Sequence, residues 1–154
     1  MIQRIQTLYL LLAAALLVLS MVLPVAFYSN LVQGVQFDYS ILEFLKPQVV
    51  VYQKFNSLPM FMFGTVTLLL AVISIFVYKK RTVQYRICLI NTILIIFYIG
   101  VIAYFFYIVS GENNIRLSYK IPIVFPIVAL VFNILAMSGI RKDEKLVKSL
   151  DRLR

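Results

Sequence analysis

The side chains that most often carry out catalysis are scarce in this chain. It contains no histidine, and Cys88 is its only cysteine. A thiol–quinone oxidoreductase needs paired cysteines, and a haem-carrying bundle needs axial ligands that are usually histidines, so both activities are excluded. The single thiol also excludes an internal disulfide. The sequence therefore predicts no metal site and no cofactor.

Carboxylates and hydroxyls add no reactive group. All six acidic residues lie outside the long apolar stretches of the chain, whereas a proton-coupled exporter needs a carboxylate buried in the membrane. Ser20 and Ser74 lie inside apolar stretches, but no base is available to activate them as nucleophiles. We interpret both as packing residues and expect that the chain is not an enzyme.

Four long stretches of the sequence lack any charged residue, and they indicate four membrane spans. The last three of them are 24, 25 and 20 residues long, and about 20 apolar residues in a helix cross a hydrocarbon core of ~30 Å. A hydrophobic content of 62% and a mean hydropathy of +0.95 are also outside the range of soluble domains. The predicted spans are about Leu8–Phe27, Leu58–Tyr78, Ile87–Val109 and Ile121–Ile140. The fold class is thus an all-α membrane protein, an antiparallel four-helix transmembrane bundle.

The basic residues predict the orientation of this bundle. If both termini are cytoplasmic, 11 of the 15 lysines and arginines lie on the cytoplasmic side and 4 on the other. Because all the loops are short, the positive-inside rule applies directly. The first span resembles a secretory signal only superficially, since Pro24 and Phe27 lie where small residues would be needed for cleavage. We expect an uncleaved first span.

Small and weakly polar residues within the predicted spans mark the helix contacts. Gly64, Thr67, Ala71 and Ser74 share one face of the second span, as membrane helix interfaces favour. Asn133 lies deep in the fourth span and needs a hydrogen-bond partner. Asn91, or a backbone carbonyl exposed where Pro126 bends the helix or delays its start, is the expected partner. We interpret this set as intramembrane packing rather than a ligand path: Gly64, Thr67, Asn91 and Asn133.

The outer loops carry signals of short strands. Val35–Tyr39 and Val49–Phe55 are rich in β-branched and aromatic residues, and Ile115–Tyr119 alternates as a strand does. These pieces predict a small outer β-sheet. Irregular loops lying on the membrane surface are the alternative.

The last residues, 141–154, differ from the transmembrane domain, 1–140, in being charged and amphipathic. Leu146, Val147, Leu150 and Leu153 form a helical stripe among mostly basic positions. A cytoplasmic amphipathic helix on the anionic inner leaflet is one interpretation. A helix that docks a membrane or cytoplasmic partner is the other, favoured by the acids Asp143, Glu144 and Asp151. The residues predicted to contact a partner or the membrane surface are Arg4, Arg141, Lys142, Asp143, Glu144, Lys145, Lys148, Asp151 and Arg152. Nucleic-acid binding is not expected, because no aromatic residues accompany the basic ones.

The two ends of the chain carry a family resemblance. The opening MIQRIQTLYLLLA and the closing IRKDEKLVKSLDRLR resemble those of a small membrane family of Bacteroidota, catalogued as domain of unknown function 4293. The resemblance implies an inner-membrane protein of a Gram-negative cell and supplies no activity or substrate. It also raises the weight on the recognisable residues of the two ends, which could meet on one cytoplasmic surface if both termini are inside. These are Gln3, Arg4 and Gln6 at one end and Arg141, Lys142, Asp143, Glu144, Asp151 and Arg152 at the other.

Together these features favour a non-catalytic accessory or scaffold subunit of a larger inner-membrane complex, docking through its cytoplasmic ends. Its expected partners are the lipid bilayer and a second membrane protein or further copies of itself. The alternative is a small oligomeric transporter or a lipid-handling protein. A carrier should enclose Asn91, Asn133, Thr65 or Thr67 around water or ligand, whereas a scaffold should pack them shut.

Overall fold

Four long helices and three short strands make up the described part of the chain. The computed structural model describes residues 2–30, 36–41, 58–78, 80–110 and 115–151. The helices are α1 (Ile2–Val22), α2 (Leu58–Phe76), α3 (Arg81–Ser110) and α4 (Phe125–Asp151), and the strands are β1 (Ala26–Asn30), β2 (Gln36–Tyr39) and β3 (Ile115–Tyr119).

Each helix is long and apolar enough to cross a membrane, so the chain is a multi-pass membrane protein. The candidate spans are Ile5–Val22, Leu58–Phe76, Arg81–Ile108 and Ile121–Glu144. The structure thus has four long apolar helices, at approximately the places where the sequence predicted the four spans. Two helix ends differ from the predicted span ends.

The first helix ends earlier than predicted, at Val22 instead of near Phe27. Pro24 causes the difference, because proline lacks a backbone N–H and disfavours helical backbone in the residue before it. The third helix begins earlier than predicted, at Arg81 instead of near Ile87. The prediction began this span after the last charged residue, Arg86. The helix itself includes the charged residues Arg81 and Arg86.

The fourth helix continues without a break through the boundary at residue 140. A 3-10 turn, Ile121–Val124, precedes it, and regular α-helix begins at Phe125, directly before Pro126. The predicted delay of the helix at Pro126 is therefore confirmed. Residues 141–151 are the end of the same helix rather than a separate segment.

Buried residues repeat at intervals of three and four along every helix, the pattern of left-handed helix packing. Helix α1 packs between α2 and α4, and α3 does the same on the opposite side. The contact faces are built from residues that are small, polar or aliphatic: Gln6, Leu10, Ala13 and Leu17 in α1; Met60, Gly64, Thr67, Ala71 and Ser74 in α2; Gln84, Cys88, Asn91, Ile95 and Tyr98 in α3; Ala129, Asn133, Ala136, Ile140 and Asp143 in α4. The outward faces carry exposed leucines, isoleucines and phenylalanines, which lipid covers.

A three-stranded antiparallel sheet covers one end of the bundle. Its order is β2-β1-β3, with Ala26 opposite both Tyr39 and Tyr119. The predicted sheet is confirmed in β2 and β3. Its central strand, β1, was assigned by the sequence to the end of the first span, and Val49–Phe55 lies outside the described residues. The sheet sits where α1 and α3 end, with the Phe106 and Tyr119 rings 5.5 Å apart.

Candidate functional site: the terminal half of the bundle

Buried polar groups concentrate in one half of the bundle, which we call the terminal half. It contains the beginnings of α1 and α3 and the ends of α2 and α4, and it lies opposite the sheet. The buried polar residues of this half are Gln6, Ser74, Gln84, Asn91, Asn133 and Asp143. A polar interior is costly in lipid unless its groups are bonded to each other. The hydrogen bonds of this half therefore show what its architecture requires.

The first and last helices are joined by a buried hydrogen bond that we call the Gln6–Asp143 clamp. Gln6 Nε2 donates to Asp143 Oδ2 over 2.7 Å. Both side chains are nearly inaccessible, 7% and 5% exposed respectively. The helices can approach this closely because residue 139 is a glycine: a Cβ there would lie only 2.9 Å from Gln6 Cγ.

Helix α3 is tied to the same point. Arg81 Nη1 donates to the backbone oxygen of Asp143 over 3.1 Å, and Thr82 Oγ1 donates to Glu144 Oε1 over 3.2 Å. One turn of α4 thus bonds to both α1 and α3. The end of the bundle where the chain starts and finishes is therefore a connected unit.

The structure partly changes the interpretation of the predicted contact residues. The two ends meet, as the resemblance suggested, but Asp143 meets Gln6 inside the protein instead of on a surface. Asp143 and Glu144 are the last two residues of the fourth candidate span, whereas the sequence prediction placed every acid outside the spans. The predicted fourth span ended at Ile140, so both acids were assigned to the tail.

The remaining contact residues divide by exposure. Arg141 and Lys142 are exposed, and Glu144 is half-buried against Thr82. Arg4, Lys145, Lys148 and Asp151 lie on α1 and α4, but their side chains are outside the described part of the structure, as is the whole of Arg152.

The packing role predicted for the second span agrees with its geometry. Thr67 Oγ1 donates to the Gly64 carbonyl over 2.8 Å within its own helix. A Cβ on Gly64 would lie 3.1 Å from the Met21 sulfur and 3.3 Å from the Tyr98 ring. Gly64 therefore lets α1 and α3 approach α2, and Thr67 satisfies its hydroxyl locally.

Asn133 has a partner, but not one of those expected. Its Nδ2 donates to the Cys88 carbonyl over 3.0 Å and to Thr92 Oγ1 over 2.9 Å. Neither Asn91 nor a carbonyl released by Pro126 takes part in these bonds. Cys88 and Thr92 lie one turn apart on α3, so one amide reaches both.

A further interhelical hydrogen bond joins α2 to α3 near the turn between them, and the sequence analysis did not predict it. Gln84 Nε2 donates to the Ser74 carbonyl over 3.0 Å. Gln84 lies in the short segment between the second and third predicted spans, where no polar contact was predicted.

Asn91 is the exception to this satisfied network. It is 1% exposed, and neither its Nδ2 nor its Oδ1 has a hydrogen-bond partner; Asn133 Oδ1 is likewise buried without one. A buried amide without partners costs about 1–3 kcal/mol. Asn91 is thus the residue of the terminal half that packing alone explains least.

We expect substitution of Asn91 by leucine to raise the free energy of unfolding by about 1–2 kcal/mol, because it removes two unpartnered polar atoms. Asn133→Leu should instead lower it by up to about 1 kcal/mol, since it breaks two interhelical hydrogen bonds of the modest strength seen in membranes. Unfolding in mixed detergent micelles measures both. A loss of stability in Asn91→Leu would contradict the expectation that its two unpartnered atoms are a net cost.

Two grooves open on the surface of the terminal half. The α1–α3 groove, of about 410 Å³, is lined by Gln6, Thr7, Leu8, Leu11, Tyr78, Arg81 and Gln84. The α3–α4 groove, of about 310 Å³, is lined by Tyr85, Ile134, Met137, Ser138, Arg141 and Lys142. Neither is lined by Asn91, Asn133 or Thr67, so neither reaches the amides of the interior.

Within the described ranges, no group of three or more Cys, Asp or Glu side chains is arranged to hold a metal ion. Cys88 is buried among Leu10, Ala136 and Ile140. The Asp143 carboxylate is engaged by Gln6.

A model of a known protein family matches almost the whole chain. The family model described as Domain of unknown function (DUF4293) matches residues 2–153. The match confirms the resemblance that the two ends of the chain suggested. No curated protein matches the chain.

Proposed function

The chain belongs to the domain of unknown function 4293 family, and from that premise we propose that it is a non-catalytic accessory or scaffold subunit. It docks through its cytoplasmic end onto a larger complex of a bacterial inner membrane. The orientation follows from the excess of lysine and arginine on the side of the termini.

The observation that carries the proposal is the construction of the terminal half. The Gln6–Asp143 clamp and the Arg81 and Thr82 bonds fix three helices to one another. Helix α4 then continues beyond the clamp to Asp151 without a break. A helix held at its base projects a defined surface, which suits a partner better than a flexible tail does.

The satisfied groups of the interior support the same function. Thr65 and Thr67 donate to carbonyls of their own helix, and Asn133 donates to α3. A carrier would need several of these groups to face a wet path. Their bonding within the chain favours a closed bundle.

The second candidate, a small oligomeric transporter or a lipid-handling protein, is favoured by one observation. The two unpartnered atoms of Asn91 and the free oxygen of Asn133 are acceptors and donors of the kind that line a polar path. Asn91 is on α3 and Asn133 is on α4. A small separation of these two helices would therefore open a polar space between the two amides.

The test is recovery of the tagged protein from its native membrane in mild detergent, followed by mass spectrometry. We expect the full chain to recover a larger complex in stoichiometric amounts, and a chain ending at Glu144 to lose it. This end point keeps Asp143 and Glu144, so that the clamp and the Thr82 bond remain. The truncated protein should unfold at the temperature of the full chain.

The matched control is Lys120→Gln, which removes a charge at the sheet end, where Lys120 pairs with Asp38. This variant should recover the complex as the full chain does. Recovery of the full chain alone, or only with copies of itself, would contradict the accessory role and favour the second candidate.

A further inference from the structure

The α3–α4 groove combines cations with an apolar floor. Five of the residues that line the groove lie on one face of α4, because their spacing is three or four residues. They are Ile134, Met137, Ser138, Arg141 and Lys142. Tyr85 of α3 lines the other side. The residues that line the groove carry two positive charges and no negative charge.

The depth of these residues matches the levels of a phospholipid. The fourth candidate span ends at Glu144, which places Arg141 and Lys142 in its last turn, at the level of lipid phosphates. Ile134 lies seven residues earlier, about 10 Å deeper along the helix, among the acyl chains. The cationic end of the groove therefore lies at the level of the phosphate, and its apolar end lies at the level of the acyl chains.

The two acidic residues next to Arg141 and Lys142 in the sequence are bonded to other helices. Asp143 is buried against Gln6, and Glu144 accepts a hydrogen bond from Thr82. The Arg141 guanidinium lies 5.7 Å from the centre of the Tyr85 ring, within cation–π range of the other side of the groove. Both cations are exposed, so their N–H groups are open to an anion from the membrane.

The positive charge of the groove favours an anionic lipid over the other possible occupants. A second copy of this chain would bring like charge to this surface, since the net charge is +9. A zwitterionic lipid carries an ammonium group beside its phosphate, whereas an anionic lipid does not. Basic pockets between transmembrane helices on the cytoplasmic side are suited to anionic headgroups.

We propose that the α3–α4 groove binds one anionic glycerophospholipid, with the phosphate on Arg141 and Lys142 and an acyl chain along Ile134 and Met137. This site is independent of whether the chain is an accessory subunit or a carrier. It would fix α4 at the membrane surface at the point where the helix leaves the lipid.

The test is native mass spectrometry of the full chain in detergent, titrated with phosphatidylglycerol or phosphatidylcholine. We expect one phosphatidylglycerol to bind with clear preference. The double variant Arg141→Gln/Lys142→Gln should weaken its binding ~30-fold. Each basic residue near the headgroup contributes about 1 kcal/mol, and the variant removes two. The matched control Lys80→Gln/Arg86→Gln removes the same charge beside the hairpin turn, outside the groove, and should weaken binding less than ~3-fold.

A second variant tests the groove without changing charge. Ser138 is exposed and lines it, so Ser138→Trp should fill the space and abolish binding of the single lipid. Equal affinity for the two lipids, equal losses in the two double variants, or unchanged binding in Ser138→Trp would each overturn the proposal.

Discussion

Substitution of Gln6 by leucine is expected to lower the free energy of unfolding by about 2–3 kcal/mol. Leucine removes the donor that Asp143 Oδ2 accepts over 2.7 Å, and it leaves a carboxylate that is 5% exposed. Hydrogen bonds to charged groups contribute about 1.5–3 kcal/mol, and loss of one partner adds the desolvation cost of the other. Unfolding of the purified protein in mixed micelles measures the change.

A double-substitution cycle separates the clamp from general packing. Asp143→Leu alone should cost about 1–3 kcal/mol, since it leaves the Gln6 amide unpartnered. The double variant Gln6→Leu/Asp143→Leu should lie within about 1 kcal/mol of the native protein, because two apolar side chains can replace a buried polar pair. Simple addition of the two losses would contradict a direct clamp.

Gln84 provides the matched comparison for Gln6. It is also a buried glutamine that donates between helices, but to the neutral carbonyl of Ser74. Gln84→Leu should therefore cost only about 0.5–1.5 kcal/mol. A larger loss at Gln84 than at Gln6 would mean that the charge of Asp143 adds nothing to the clamp.

The sequence predicted the four helices well because a long apolar stretch has few alternatives in a membrane. It predicted their ends less well. The change of composition at Ile140 was interpreted as the boundary between the bundle and a tail, yet α4 continues through it to Asp151 without a break. Pro24 was a stronger signal for the end of α1 than the charge-free stretch was, and the residues after it form β1.

The polar contacts were harder to predict than the helices. Asn133 was recognisable as a residue that needs a partner, because an amide at that depth is costly. Its actual partners, Cys88 and Thr92, depend on the rotation of α3 about its axis, which hydropathy does not determine. Gln6 and Asp143 were placed on a cytoplasmic surface because both lie outside the spans predicted from hydropathy.

Gly139 could not be recognised as a contact residue from the sequence alone. Its role appears only when α1 is in place beside α4, since a Cβ at this position would lie 2.9 Å from Gln6 Cγ. Gly100, in contrast, is on an exposed face of α3, where a Cβ would meet nothing within 4 Å. The two glycines therefore form a matched pair.

We expect Gly139→Ala to lower the free energy of unfolding by about 1–2 kcal/mol and Gly100→Ala to raise it by about 0.5–1 kcal/mol. Overpacking costs about 1–3 kcal/mol, whereas alanine is favoured over glycine in a helix by about 0.5–1 kcal/mol. At Gly139 the steric cost is the larger effect, because the nearest atom is in the middle of the Gln6 side chain. Replacing Gln6 with alanine removes that Cγ, so Gly139→Ala should lose its penalty in the Gln6→Ala background. If Gly139→Ala still lowered the free energy of unfolding in the Gln6→Ala background, a contact other than Gln6 Cγ would be the reason that position 139 requires glycine.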